Sequence, residues 1–89
     1  MFRVRWERRA LDELTSIWTA ANSAGRAAVT GAVTVLEQRL RRNAANEGES
    51  RPGRRRITFV PPRAVTFRVE QDGQTASVLQ VRPMRRLGP

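Results

Sequence analysis

The hydrophobic period of this chain changes part-way along it, and that change limits the fold more than any other feature. Phe2, Val4 and Trp6 alternate with Arg3 and Arg5, which is the two-residue period of a strand with one buried face. From about Glu7 the spacing becomes helical. Ala10, Leu11, Leu14, Ile17, Trp18 and Ala21 mark a first amphipathic stripe through Asn22, and Val29, Ala32, Val33, Leu36 and Leu40 mark a second that ends near Arg42. The turn residues Asn22-Ser23-Ala24-Gly25 join the two into an antiparallel helical hairpin. Residues 43–53 are polar and rich in turn formers, so they read as an exposed loop. Alternation then returns. Ile57 and Phe59 form one strand before Pro61-Pro62, Val65, Phe67 and Val69 a second, and Ser77, Leu79 and Val81 a third beyond the Asp72-Gly73 turn. The tail from Arg82 to Pro89, with its prolines and glycine, is expected to leave the sheet.

Two helical stripes and several one-sided strands are reconciled if both helices cover one face of a small sheet. The expected fold class is α+β: an N-terminal strand, a two-helix hairpin, then a three-stranded antiparallel meander, with the helices on one face. Eighty-nine residues suffice for one core, so a single domain over residues 1–89 is expected. No apolar run reaches the roughly 20 residues of a membrane span, and the N-terminus lacks a signal-peptide pattern, so a cytoplasmic protein with no membrane partner is expected.

Composition restricts the chemistry. The sequence has no cysteine, histidine, tyrosine or lysine. Thiolate chemistry is excluded, the usual neutral-pH acid–base groups are missing, and neither a metal site nor a cofactor is expected. All 17 basic residues are arginines, opposed by eight acidic ones, for a net charge of +9. Such a field attracts polyanions or an acidic protein, and guanidinium forks match phosphate oxygens.

If the helices cover Phe2, Val4, Trp6, Ile57, Phe59, Val65, Phe67, Val69, Leu79 and Val81, alternation sends the arginines to the opposite face. That expectation places Arg3, Arg5, Arg54, Arg55, Arg56, Arg68, Arg82 and Arg86 at a nucleic-acid-binding surface, with Arg85 at its margin. Trp6 and Trp18 are expected in the core.

The stretch Trp6-Glu7-Arg8-Arg9-Ala10-Leu11-Asp12-Glu13-Leu14, continuing to Ile17-Trp18, resembles the opening strand-to-helix signature of RelE/ParE-like toxins of bacterial type II toxin–antitoxin systems. Arg51-Pro52-Gly53, the strand at Ile57, Pro62-Arg63, Phe67-Arg68-Val69 and the closing hairpin to Val81 follow in the family's order. The resemblance implies a toxin inhibited by a cognate acidic antitoxin. Its target would be ribosome-bound mRNA, cleaved by an endonuclease, or else DNA gyrase; a non-toxic nucleic-acid-binding or antitoxin-binding module is the remaining alternative. In the nuclease branch, Arg56, Arg63, Arg68, Arg82 and Arg85 fit the basic positions that contact phosphate or stabilise the transition state. Arg63 stands one residue farther from Phe67 than the family's arginine does from its aromatic partner, which by alternation turns it toward the helices and favours Arg68. No residue matches the family's proton-transfer group, because arginine is a poor base at neutral pH.

Overall fold

The computed structural model describes residues 1–83. Strand β1 (Arg3–Trp6) leads into helix α1 (Arg8–Ala20) and then helix α2 (Ser23–Asn43). After a short 3-10 turn at Ala44–Asn46 come β2 (Glu49–Arg51), β3 (Arg55–Val60), β4 (Arg63–Val69) and β5 (Thr75–Pro83). The sheet order is β1-β5-β4-β3-β2, with β1 parallel to β5 and every other pair antiparallel. This is the expected α+β architecture, with one strand more than the sequence suggested.

The helical hairpin turns more tightly than its Asn-Ser-Ala-Gly run implied. Only Ala21 and Asn22 separate the helices, and the Asn22 side chain caps α2 by accepting from the Gly25 backbone N–H at 2.9 Å. Leu36 and Leu40 of α2 and Ala10 of α1 are buried against Val60, Val65, Phe67, Ala76, Val78 and Val81 of the sheet. Phe2, Val4, Trp6 and Ile17 pack around this core, and the Trp6 indole N–H donates to Glu37 of α2. Trp18 departs from expectation: it is exposed on the hairpin's outer side, with the Arg26 guanidinium 5.5 Å from its ring centre.

Three readings of the strands are corrected. The segment expected to be a loop contains β2, whose three polar residues carry no periodic signal, yet it pairs with Arg55–Ile57. In β3 the buried residues are Thr58 and Val60, while Phe59 is 42% exposed on the opposite face. Pairing sets this phase: Thr58 lies opposite Val65, which the helices cover, so the even-numbered residues of β3 follow Val65 inward. A buried threonine is tolerated because its hydroxyl donates to Glu47 at 2.5 Å. In β5 the register shifts between Thr66 and Phe67 of β4: Thr66 pairs with Gln80 and Phe67 with Val78. Leu79 is the extra residue of this bulge, so the inward positions are Ala76, Val78 and Val81 rather than Ser77 and Leu79.

Strand β5 extends through Pro83, past the point where the tail was expected to leave the sheet. Beyond Val78 it outruns β1, and there the Glu13 carboxylate of α1 accepts from the Val81 N–H at 2.8 Å. That contact closes an otherwise open sheet edge.

Candidate functional site

Residues directly opposite one another on paired strands share a face, so the pairings place each arginine. One row on the uncovered face runs Arg51, Arg55, Arg68, Ser77, Arg5 across all five strands. Beside it lie Ile57, Thr66 and Gln80, and then Phe59, Ala64 and Arg82. Arg3 lies on the same face at the Thr75 end of β5.

Like charges facing one another across strands repel, so such a row requires counter-charges. Glu49 pairs with Arg51 at 3.0 Å, and Glu7 with Arg5 at 3.0 Å. Arg68 reaches Glu70 at 3.0 Å and Glu7 at 3.8 Å. Ser77, although fully buried, lies beneath this network and donates its hydroxyl to Glu70 at 2.5 Å. The hydrogen bonds from Arg68 and Ser77 hold the Glu70 carboxyl below the ordinary glutamate range, and Glu70 in turn raises the Arg68 guanidinium. The uncovered face is therefore neutralised at its Arg5–Arg68 centre. Glu7 and Glu70 are 63 residues apart in sequence, one at the start of α1 and one just past β4, and no local pattern joins them.

Among the described residues, Arg3, Arg54, Arg55 and Arg82 have no carboxylate within 4.0 Å. All four are exposed. Arg54 adopts a φ of 63° in the turn between β2 and β3, next to Gly53 at 77°. Arg82 uses its Nε to donate to Gln80.

Arg56 is not on this face. It pairs opposite Phe67 on the helix side, where it donates to the Glu47 carbonyl at 2.8 Å, the Gly48 carbonyl at 3.0 Å and the Ser50 hydroxyl at 3.2 Å. It tethers the α2–β2 connection and is not displayed to a ligand. We expect Arg56→Ala to lower unfolding stability by about 1–2 kcal/mol, from the lost charge-assisted bonds, and to leave oligonucleotide binding unchanged; urea titration and a binding isotherm read the two effects separately. Arg63 also faces the helix side, opposite Val60, as its spacing from Phe67 suggested. Arg85 and Arg86 lie outside the described residues.

The Glu70 cluster has a pH signature. A carboxyl depressed on folding stabilises the folded state above the ordinary glutamate range, and that contribution disappears as the pH falls through the depressed value. We expect Glu70→Gln to cost about 0.5–1 kcal/mol at neutral pH and progressively less in acid. Thermal melts across pH 7 to 3 check this, and a gap that stays constant with pH would contradict it.

A second region lies under the hairpin. A cleft of about 570 Å³ opens between the helices and the sheet, walled by Trp6, Ile17, Ala28, Val29, Val33 and Val65 among others. It exists because Ala20, Ala21, Gly25, Ala28 and Ala32 face the sheet with side chains too short to reach it. Among the described residues, Arg63 is the only charged one in the lining. In the sequence the gap is marked only by the small residues of Ala24-Gly25-Arg26-Ala27-Ala28, which a helical stripe defined by the larger residues after them passes over.

Solved toxin–antitoxin structures share this fold over nearly the whole chain. The chromosomal ParDE system from P. aeruginosa matches with a TM-score of 0.65 at 19% identity, covering 96% of this chain and 98% of that one. The RelBE2 toxin–antitoxin complex from Mycobacterium tuberculosis matches with a TM-score of 0.69 at 16% identity, over 93% and 98% of the two chains. This chain has the RelE/ParE toxin fold. The intact E. coli RelBE toxin–antitoxin complex gives 0.62 at 14% identity, over 97% of this chain and all of that one. No protein-family model and no characterised protein sequence matches the chain. On the RelE/ParE framework the two candidate strand-four arginines separate, Arg68 to the uncovered face and Arg63 to the cleft.

Proposed function

We propose that this chain is the toxin of a type II toxin–antitoxin pair and that it disables its target, DNA gyrase, by binding rather than by cleaving RNA. The observation that carries this reading is the state of Glu70. It is the carboxylate in direct contact with Arg68 and Ser77 on the uncovered face, and both neighbours hold it ionised. A general base needs a pKa near the working pH and a free lone pair, and Glu70 has been moved in the opposite direction. Histidine, tyrosine, lysine and cysteine are absent from the chain, so the usual neutral-pH acceptors of a 2′-hydroxyl proton are missing, and arginine is suited to charge stabilisation rather than to proton transfer.

The cognate antitoxin in this reading is an acidic protein that fills the apolar cleft. An apolar cleft of this size against a chain of net charge +9 favours an amphipathic acidic segment as occupant. The exposed arginines Arg3, Arg54, Arg55 and Arg82 are the proposed polyanion contacts, with Arg68 and Arg5 engaged internally.

An mRNA interferase is the second reading, favoured by the exposed Arg55 and Arg82 flanking the exposed Phe59 on one face, which combines phosphate contacts with a stacking ring. Two assays on the purified chain separate the readings. We expect an intact message after incubation with translating ribosomes, together with loss of gyrase supercoiling. Discrete cleavage products with unimpaired supercoiling would reverse the choice.

A further inference from the structure

Among the described residues Arg63 is the one charged side chain of a mostly apolar cleft, and we propose that it determines the cleft's specificity by selecting a helix that sets one carboxylate beside its apolar stripe. The proposal rests on the reading of the cleft as the antitoxin's site.

The cleft walls are two helices and the inner face of a sheet, so they offer side chains rather than a strand edge. An occupant gains no backbone hydrogen bonds there and must satisfy its own, which a helix does. The floor and walls, formed by Ile17, Ala28, Val33 and Val65 and their neighbours, reward apolar side chains at helical spacing.

Arg63 is placed rigidly in this setting. It begins β4, pairs with Val60 on one side and with Pro83 on the other, and is half-buried. Other partly buried or helix-side arginines are committed: Arg56 to the carbonyls of Glu47 and Gly48, Arg39 to the carbonyl of Phe59, and Arg68 to Glu70. Arg63 has no hydrogen-bond acceptor and no carboxylate within reach among the described residues. Among the described residues only solvent meets its charge until the cleft fills. An occupant then strips water from the guanidinium, and an occupant without an acceptor leaves a desolvated charge behind. A carboxylate at that point restores the lost solvation and adds a bidentate contact. The same arginine thus rewards one class of helix and penalises apolar helices that would otherwise fit, which is how a greasy cleft avoids promiscuity.

A displayed library of helical peptides, with a fixed leucine stripe and all other positions randomised, tests this whatever the partner's sequence is. Selection is carried out on the wild-type chain, on Arg63→Gln, on Arg63→Lys and on Ala28→Trp, which fills the cleft at an exposed helical position. We expect wild type to enrich Asp or Glu at one fixed site beside the stripe. Arg63→Gln should lose that enrichment and bind the acidic peptides about tenfold or more weakly, Arg63→Lys should retain the preference, and Ala28→Trp should bind none of them. Cleft binders with no acidic preference, or with one that survives Arg63→Gln, would overturn the proposal while leaving the cleft as the partner site. Failure of wild type to yield any binder sensitive to Ala28→Trp would overturn both.

Discussion

Phe67→Ala is expected to cost about 3–5 kcal/mol, a large share of the 5–15 kcal/mol that holds a domain of this size together. Phe67 is fully buried in β4, under the helices, opposite Arg56 on β3 and Val78 on β5. It stands where the β4–β5 register shifts, so its ring also supports the bulge that turns Val81 inward. The cavity left by truncation cannot be refilled by Leu40 or Val78, which are already fully buried. The melting temperature should fall by about 12–40 °C. Phe59→Ala supplies the contrast. By sequence alternation the two phenylalanines are equivalent, but Phe59 is 42% exposed on the other face, and its loss should cost less than about 1 kcal/mol. Comparable losses for both variants would mean that β3 has the opposite phase.

The second large effect concerns charge. Arg3, Arg55 and Arg82 span the uncovered face from the Thr75 level of β5 to its far end, and none has a described carboxylate within 4.0 Å. Replacing all three with Ala should reduce the slope of log affinity against log salt for a single-stranded oligonucleotide by about 2 units, at roughly 0.7 per phosphate contact. A slope change of that size is worth about a hundredfold in affinity for each tenfold change in salt. The melting temperature should hardly move, because exposed arginines contribute little to packing. Arg68→Ala should change the slope far less, since its guanidinium is occupied by Glu70 and Glu7. An unchanged slope in the triple variant would remove the uncovered face from polyanion binding.

The contrast between Arg56 and Arg55 shows where sequence reasoning succeeds and where it stops. Alternation located β1 and β4 correctly because in each the apolar residues, Val4 and Trp6 or Val65 and Phe67, coincide with the covered face. It failed in β3, where the more hydrophobic pair, Ile57 and Phe59, faces outward. The phase there is set by the β4 pairing and by Glu47, which satisfies Thr58 from outside the strand. Arg56 therefore moved from the expected ligand surface to a structural tether, while Arg55 stayed on the open face. The bulge at Leu79 left no trace in composition, since Leu79 and Val78 are equally apolar and only the pairing distinguishes them. Strand β2 was invisible because three polar residues hydrogen-bonded along one edge carry no periodicity. The charge excess was legible, but its neutralisation was not. Glu7 and Glu70 meet Arg68 through tertiary structure alone, which is why the uncovered face proved less cationic than its alternating arginines implied.

The growth of a bacterial host expressing this chain tests the toxin reading most directly, measured alone and together with a small acidic protein encoded beside it. Arrest by the chain alone, lifted when the acidic protein binds it in a stable complex, is the predicted result. Normal growth with the chain expressed in soluble, folded form, or arrest that no acidic neighbour relieves, would contradict it.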